Sequence, residues 1–465
     1  MNMKRRTFGI FATGGMLDMA GLAKAVAAAP AASGLPAGLT PFGAEQAGNA
    51  AGTIPAWTGG MTATPAGFDW DPAKTMPPDF FAKDAMLYEV NAGNLEKYSD
   101  LLSDGVIHLI QKSGFSVQVY PSHRPHAMPE WVYKNIAANL ARAKLDPHGG
   151  RFGFSGGYGG VPFPVPDMSK PFDAGPQIVW NHETAWGGYY STKMLSGLVV
   201  QSGSTPVMAS YGPTYFLSPY YDPNGSLSDF DGYIYKYAGK SYGPATQVGN
   251  QTVYYASINT LKKPNIAWQL LAGQGRVRKA PEIAYDTPNA FVDGMSNYDE
   301  TNGFSGALNE YDWKCLGKKE TLVPYNNNKL FYVSYHDAMG PKFINPDFVR
   351  WELHRVWVVE ATLHQGQRNV MARRRLYIDE DTWTVTVFDE WDAKGDLYHT
   401  GMNTFAVFPN LPGVIRQNNF LYNVQTGDYV MQGSWGNPPL NRPYSFAPFP
   451  ETVVEPQVMA AAAAY

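Results

Sequence analysis

The sequence predicts a mainly β (α+β) protein in which a large curved antiparallel sheet forms a half-open β-barrel with helices packed against it. Three observations support this prediction. Hydrophobic residues make up 44% of the chain and aromatic residues 14%, whereas charged residues account for only 16%, below the roughly 25% of an average soluble chain. Short segments with strand-like alternation follow one another through the second half of the chain. Turn residues separate these segments.

The alternating segments are clearest near the C-terminus. They cover residues 354–363, 370–378, 382–391 and 397–408. Turn residues join them at Gly366-Gln367-Arg368, at Asp379-Glu380-Asp381 and around Gly395. Strands at this spacing predict an up-and-down antiparallel meander. Earlier alternating segments, at residues 187–201, 205–217, 232–237 and 251–258, predict further strands.

The first half of the chain is less regular. Residues 28–80 are rich in proline, glycine and alanine and predict an extended arm along the domain surface. Apolar residues at helical spacing predict helices over residues 84–111 and 130–145. Residues 81–458 are interpreted as a single β-rich domain with helical insertions, followed by a disordered alanine-rich tail at 459–465.

The N-terminus carries the features of an export signal. Lys4, Arg5 and Arg6 form a basic head that resembles a twin-arginine signal, and Ala25-Val26-Ala27 supplies a cleavage site. Residues 1–27 are therefore predicted to be an export signal, and the mature protein is predicted to be periplasmic, with possible association with the outer membrane left open. The alternatives are an amphipathic N-terminal helix and the general secretion route.

Bulk properties exclude several classes of protein. A formal net charge of −4 argues against a nucleic-acid partner. No run of 18 or more apolar residues follows the signal, so no membrane-spanning helix is expected. The single cysteine, Cys315, has no partner for an internal disulfide and is interpreted as a small buried residue.

Motifs for catalysis, metals and cofactors are weak. Residues 153–157 match the G-x-S-x-G string with Ser155 as the candidate nucleophile, but a strand-to-helix context is not predicted there. His123 and His126 have the spacing of metal ligands, yet a third ligand cannot be identified. No nucleotide-binding motif is present. We therefore expect no catalytic residues, no metal and no cofactor.

Aromatic residues in the predicted meander suggest a binding surface. A curved sheet with one aromatic face either fills its own core or encloses an apolar guest. Trp357, Trp383 and Trp391 are the candidate ligand-binding tryptophans. Arg373 and Arg375, on one face of a strand, could hold a carboxylate or phosphate head group. The alternatives are a filled aromatic core and cross-strand pairing of the arginines with Glu360, Asp389 or Glu390.

Several long strings resemble a known bacterial family, the domain of unknown function 1329. They are LTPFGAEQAGN at 39–49, TIPAWTGG at 53–60, YGGVPFP at 158–164, RVWVVEA at 355–361 and RRLYIDEDTW at 374–383. The resemblance covers nearly the whole mature chain. It implies a fold similar to the lipoprotein carriers LolA and LolB, with a half-open antiparallel barrel and a hydrophobic cavity.

The resemblance also implies a function. Members of this family are often encoded near exporters of the resistance-nodulation-division class and an outer-membrane channel-like family, which implies such partners and hydrophobic cargo. The leading hypothesis is a periplasmic carrier or chaperone, outer membrane lipoprotein-sorting-like, that binds a hydrophobic lipid-like molecule and is not an enzyme. The alternatives are an envelope hydrolase acting on a lipid or ester, and a structural adaptor of an efflux-type transport complex.

Overall fold

The computed structural model describes residues 34–271, 273–281, 283–434 and 443–463. The predicted export signal at 1–27 lies outside the described residues. The strands are β1 (Tyr88–Val90), β2 (Val117–Val119), β3 (Lys144–Leu145), β4 (Phe154–Ser155), β5 (Tyr190–Val200), β6 (Val207–Leu217), β7 (Tyr233–Lys240), β8 (Gln251–Ser257), β9 (Ile266–Leu270), β10 (Val277–Lys279), β11 (Tyr311–Pro324), β12 (Trp351–Leu363), β13 (Arg373–Asp379), β14 (Val385–Trp391), β15 (Leu397–Phe408), β16 (Gly413–Asn423) and β17 (Tyr429–Gly433). The helices are α1 (Asp104–His108), α2 (Glu130–Arg142), α3 (Pro171–Glu183), α4 (Tyr335–Ala338) and α5 (Pro456–Ala463).

One sheet of 15 strands dominates the described structure. Strands β11 to β17 pair with their chain neighbours, β17 then pairs with β5, and the sheet continues in chain order to β10. All these pairings are antiparallel. The short strands β1 and β2 pair antiparallel with each other and join the sheet through one parallel bridge between Val119 and Trp351. Among the described residues, β10 and β11 do not pair with each other, so the sheet is curved but open. The predicted mainly β fold class is confirmed.

The predicted meander is present at the predicted place. Strands β12 to β15 follow one another as antiparallel neighbours. The turn after β13 is closed by a hydrogen bond from Asp379 N to Thr384 O of 3.0 Å, so β14 begins at Val385 rather than at residue 382. Gly395, in the next turn, has a φ of 85°, a left-handed conformation that glycine adopts without steric cost.

The helix predicted over residues 84–111 is wrong over most of its length. The segment contains β1, a 3₁₀ helix at Leu95–Leu101 and α1, which ends in a π turn at Leu109–Ser113. Ser103 starts α1 as its N-cap, since its side chain accepts a hydrogen bond from Val106 N. The second predicted helix is present as α2 but ends at Arg142, and the last two residues of the predicted range form β3.

Both faces of the meander are buried. In β12, Trp357 and Val359 face one hydrophobic cluster, and Val356 and Val358 face a second cluster. Helices α2 and α3 cover the first face through Val132, Ile136, Ile178 and Val179, among others. The unbroken apolar run at residues 356–359 of β12 follows from burial on both sides.

The two ends of the described chain fasten onto the sheet. Before Tyr88 the described residues form neither helix nor strand, but Phe42 and Trp57 are buried in the first cluster. At the other end, α5 runs through Ala463, and Met459 packs with Val454 against the outer face of β6 and β8. The disordered tail predicted from residue 459 is therefore wrong for residues 459–463. No helix in the described part of the chain has the length and apolarity needed to cross a membrane.

Candidate functional site

A cavity of about 550 Å³ lies on the inner face of the sheet, next to strands β5 to β9, β16 and β17. The segment between β10 and β11, from residue 281 to residue 311, lines its other side. A volume of this size falls within the roughly 300–1,000 Å³ that small-molecule sites occupy. The cavity is the candidate functional site.

The strand register arranges the sheet side of the cavity in two rows. Lys193, Thr214, Gly239, Thr252 and Gln269 are direct cross-strand partners from β5 to β9 and form a largely polar row. Two residues along, Phe216, Tyr237 and Tyr254 are cross-strand partners and form an aromatic row. The period of two along each strand brings both rows to the same face.

Hydrogen bonds hold the covering segment over the cavity. Ser210 Oγ on β6 donates to the carbonyl oxygen of Phe291 at 2.7 Å. The side chain of Gln432 on β17 donates to Ser296 Oγ at 3.2 Å and accepts from Asn289 at 3.3 Å. The cover is therefore attached at two strands on the same side of the sheet.

Two partly buried cations line the cavity, Lys193 on β5 and Arg416 on β16. The Lys193 ammonium lies 5.2 Å from the ring centre of Phe216 and 5.3 Å from that of Tyr444. Among the described residues, neither cationic group has a hydrogen bond or an ion pair with a carboxylate. Burial and then the charge of Arg416 lower the pKa of Lys193 to about 7, and burial lowers the pKa of Arg416 to about 10.

A β-bulge directs Arg416 toward the cavity. The register between β15 and β16 shifts between Thr404 and Phe405, which pair with Asn418 and Arg416, so Gln417 is the additional residue. A bulge changes the normal alternation of side chains. As a result the consecutive residues Arg416 and Gln417 both line the cavity.

Acidic residues of the cavity have partners of their own. Asp299 accepts a 2.6 Å hydrogen bond from Arg374, and Glu310 accepts a 2.8 Å hydrogen bond from Asn369. The carboxylates are thus held by groups beside the cavity, in contrast to the two cations.

A buried polar cluster adjoins Asp299. Within the described residues, Glu300, Glu390 and His399 form one group whose potential ligand atoms lie within 4.8 Å of one another. Arg374 lies 2.9 Å from Glu390 Oε1 and already supplies a positive charge there. Burial raises the pKa of Glu300 to about 7 and that of Glu390 well above its usual value. A shared proton and Arg374 suit this cluster better than a metal ion does.

The three predicted ligand-binding tryptophans do not line this cavity. Trp357 and Trp383 stack with ring centres 6.1 Å apart, and both belong to the first hydrophobic cluster. Trp391 is 5% exposed and lies under the guanidinium of Arg373, 3.6 Å from its ring centre. The placement of Trp357 and Trp383 corresponds to the alternative of a filled aromatic core.

The predicted arginine pair is also directed elsewhere. Arg373 and Arg375 both bind Glu360 on the neighbouring strand, at 3.3 Å and 2.8 Å. Neither lines the cavity. The cross-strand alternative accounts for these two side chains, and the structure shows no role for them in the cavity.

Other candidate residues occupy structural positions. Ser155 is exposed in the two-residue strand β4, and the described chain continues as a loop from there to α3, without the helix of a nucleophile elbow. His123 Nε2 forms a hydrogen bond of 2.7 Å with Asp84 Oδ2. The buried His126 packs against Phe42. Burial raises the pKa of the Cys315 thiol.

Sequence reasoning missed Lys193 and Arg416. Lys193 lies inside a segment already predicted as a strand, between Tyr190 and Leu195. A lone lysine in such an apolar run is a usable signal for a cavity. Arg416 had no comparable signal, because β16 was not predicted and its bulge depends on tertiary pairing.

The fold and the cavity define an open antiparallel-sheet protein with an internal site of small-molecule size. The chain belongs to the DUF1329 family, described as "Protein of unknown function (DUF1329)", whose model matches residues 89–450. The family predicted from the sequence strings is confirmed. A relative from Pseudomonas aeruginosa, the uncharacterized protein PA3922, is 33% identical over 399 residues, which cover 83% of each chain.

Solved structures show more distant similarity. A domain of an outer membrane lipoprotein-sorting protein from Vibrio parahaemolyticus has a TM-score of 0.42 at 14% identity, covering 63% of this chain and all of that one. A DUF1329 family protein from Desulfovibrio piger has the same TM-score at 11% identity, with the same coverage. A LolA superfamily protein from Nitrosomonas europaea has a TM-score of 0.33 at 8% identity, covering 62% and 94% of the two chains.

Proposed function

We propose that this protein is a periplasmic carrier that binds a hydrophobic, lipid-like molecule in the cavity between the sheet and the 281–311 segment. The observation that carries the proposal is the cavity itself, about 550 Å³ and lined by an aromatic row on the sheet. Well-packed cores contain few voids larger than a water molecule. A space of this size among aromatic side chains therefore suits a guest better than it suits a core.

Burial of an alkyl chain would supply the binding free energy. Each methylene transferred from water contributes about 0.8 kcal/mol, which corresponds to about fourfold in affinity. Ordering costs offset part of this gain. Affinity should therefore rise stepwise with chain length until the cavity is full.

The proposed location and partners rest on other features. The basic head and the Ala25-Val26-Ala27 site support export to the periplasm. We propose that a carrier in this compartment delivers its ligand to the outer membrane. Its partners in this role would be a resistance-nodulation-division exporter and an outer-membrane channel-like protein. The resemblance of the sequence strings to the domain of unknown function 1329 family supports these two partners.

Calorimetric titration of the mature protein with straight-chain alcohols of six to twelve carbons tests the proposal. We expect saturable binding whose affinity increases with each methylene, together with a negative heat-capacity change. Native mass spectrometry of protein purified from periplasm provides a second readout, a bound apolar molecule.

A variant that fills the cavity locates the site. Thr252 lines the cavity, so Thr252→Trp should abolish alcohol binding. Thr362 is an exposed strand residue on β12, and Thr362→Trp is the matched control that should bind normally. Binding that ignores chain length, or that survives Thr252→Trp, would exclude the cavity as a carrier site.

A further inference from the structure

Lys193 and Arg416 carry an inference about the chemistry of the ligand. Both side chains line the cavity, and they come from strands β5 and β16, which are far apart in sequence and separated in the sheet only by β17. Residues far apart in sequence are thus brought to one wall. A third basic residue of the lining, Lys240, is exposed at the end of β7.

Buried cations normally have anionic partners. Removing a charge from water is costly unless a counter-charge or hydrogen bonds replace the water. Elsewhere in the described chain this rule holds, since Arg124 binds Asp381 at 2.7 Å and Arg374 binds Asp299 at 2.6 Å. Lys193 and Arg416, both partly buried, have no carboxylate partner within the described residues, and the Lys193 ammonium lies against the rings of Phe216 and Tyr444 instead.

A buried polar group beside this pair is also without a partner. The hydroxyl of Tyr444 is inaccessible to solvent and makes no hydrogen bond among the described residues. Its ring lies 5.3 Å from the Lys193 ammonium. Tyr444 does not line the cavity, so the donors that an anion in the cavity can reach are the Lys193 ammonium and the Arg416 guanidinium.

We infer that Lys193 and Arg416 bind the anionic head group of an amphipathic ligand, a carboxylate or phosphate monoester, while its alkyl chain lies along the aromatic row of the cavity. This inference rests on the proposed function and names the ligand class. A guanidinium binds such an oxyanion through two parallel hydrogen bonds, and an ammonium binds it as a point charge. A bound anion would also favour the protonated form of Lys193, whose pKa burial and Arg416 depress to about 7.

The acidic residues of the lining do not compete for this role. Asp299 is paired with Arg374 and Glu310 is bound by Asn369. Lys193 and Arg416, by contrast, have neither an ion pair nor a hydrogen bond among the described residues, so the wall that they form offers unpartnered positive charge to a ligand.

Four decyl amphiphiles separate the head-group inference from the carrier proposal. Calorimetry of the mature protein at pH 7 would compare decanoate, decyl phosphate, decanol and decyltrimethylammonium, with the three ionic compounds below their micelle concentrations and decanol below its solubility limit. We expect decanoate and decyl phosphate to bind at least about 10-fold more tightly than decanol. The cationic amphiphile should bind more weakly than decanol. The ratio between the two anions tells whether carboxylate or phosphate is preferred.

Charge-removing variants assign the preference to the two residues. Lys193→Met and Arg416→Met should each weaken anion binding by about 10- to 100-fold. Their affinity for decanol should change less than threefold. Lys314→Met is the matched control, because Lys314 is an exposed strand lysine, and it should bind all four compounds as the parent does.

Charge-conserving variants guard against misfolding. Lys193→Arg and Arg416→Lys keep the positive charge and should retain the preference for anions. Lys193→Met should leave the melting temperature equal or higher, since it removes an unpaired charge from a partly buried site.

Two results would overturn the inference in different ways. If decanol binds as tightly as decanoate, or if Lys193→Met weakens both equally, the head-group subsite is wrong and the carrier proposal stands. If none of the decyl compounds binds to the parent protein, the carrier proposal itself fails.

Discussion

The indole Nε1 of Trp383 donates a 2.8 Å hydrogen bond to the carbonyl oxygen of Phe42. Trp383 lies in the turn between β13 and β14, and Phe42 lies in the arm that precedes the first strand. This contact joins two segments 341 residues apart. The arm therefore covers the aromatic side of the meander, which explains why Trp383 is fully buried.

Removing this donor should loosen the arm. In Trp383→Phe most of the ring remains, but Phe42 O loses its partner, at a cost of about 1–3 kcal/mol in the free energy of unfolding. Urea denaturation measures the loss, and limited proteolysis should show faster cleavage within residues 34–60. Trp70 makes the same kind of indole bond to Thr75 O at an exposed site. Trp70→Phe should cost less than 0.5 kcal/mol, and equal losses in both variants would contradict this account.

Neighbouring arginines on β13 should differ sharply in their effect on stability. Arg374 is fully buried between Asp299 and Glu390. Arg374→Met leaves these carboxyls without their cation, at a cost of about 3–5 kcal/mol. Arg373 is partly exposed and shares Glu360 with Arg375, so Arg373→Met should cost about 1 kcal/mol or less. Chemical denaturation of both variants at pH 7 tests the contrast, which similar losses would refute.

The sequence was sufficient to predict the parts of the fold that depend on local pattern. The limits of β15 were predicted at Leu397 and Phe408, and β5, β6 and β8 lie within the predicted segments, whereas β7 runs three residues past its predicted end at 237. The alternation that sends Arg374 to one face and its two neighbours to the other was also predictable. Strong period-two patterns and short turns specify such elements without tertiary information.

Other elements depended on distant partners. β11, the 14-residue strand beside β12, was not predicted because Gly317, Lys318 and Lys319 interrupt its alternation. In the folded chain Lys318 binds Glu380 at 2.7 Å and Glu45 at 3.0 Å. Those carboxylates come from the β13–β14 turn and the arm, so only the tertiary structure compensates the charges.

The same limit applies to the candidate site. Clustered tryptophans on the meander indicated an aromatic face, but the sequence did not show that the arm would cover Trp383. It also could not show that segment 281–311 would leave space above β6 to β8. The site residues Lys193 and Arg416 line the same cavity only because β17 pairs with both β16 and β5.

Four groups with raised pKa values should make stability fall as pH rises, the carboxyls from about pH 4 to 8 and His354 from about 6.5 to 9, while Lys193, whose pKa is lowered to about 7, opposes this trend above pH 7. Burial raises the pKa of Glu183 to about 8 and the pKa values of Glu300 and Asp389 to about 7. Hydrogen bonds and charges of Asp379 and Glu352, which outweigh burial, raise the pKa of His354 to about 9. In each case the folded state has the higher pKa, so the stabilisation is complete below the unfolded pKa and is lost as pH rises through the folded pKa.

Glu183→Gln isolates one of these groups. Glutamine keeps an acceptor for the Gly306 amide, which lies 3.0 Å from Glu183 Oε1, but does not ionise. The free energy of unfolding of this variant, measured by urea titration from pH 6.5 to 9, should decline less steeply than that of the parent. Parallel curves for the two proteins would show that Glu183 does not titrate in this range.

Two glycines should respond to substitution for different reasons. Gly395 has a φ of 85°, and nothing lies within 4 Å of the position that a Cβ would take. Gly395→Ala should therefore cost only the strain of the left-handed conformation, about 1 kcal/mol, and Gly395→Asn should cost less.

Gly105 has no unusual φ, but its Cβ would lie 1.9 Å from Thr400 Oγ1 and 2.3 Å from Asp389 Oδ1. Gly105→Ala must displace a buried hydrogen-bonded group, so we expect a loss of more than about 2 kcal/mol. Adding Thr400→Ser should recover none of it, because the hydroxyl oxygen that clashes remains, whereas Thr400→Ala should recover part. A Gly105→Ala protein as stable as Gly395→Ala would contradict the tight packing of α1 against β15.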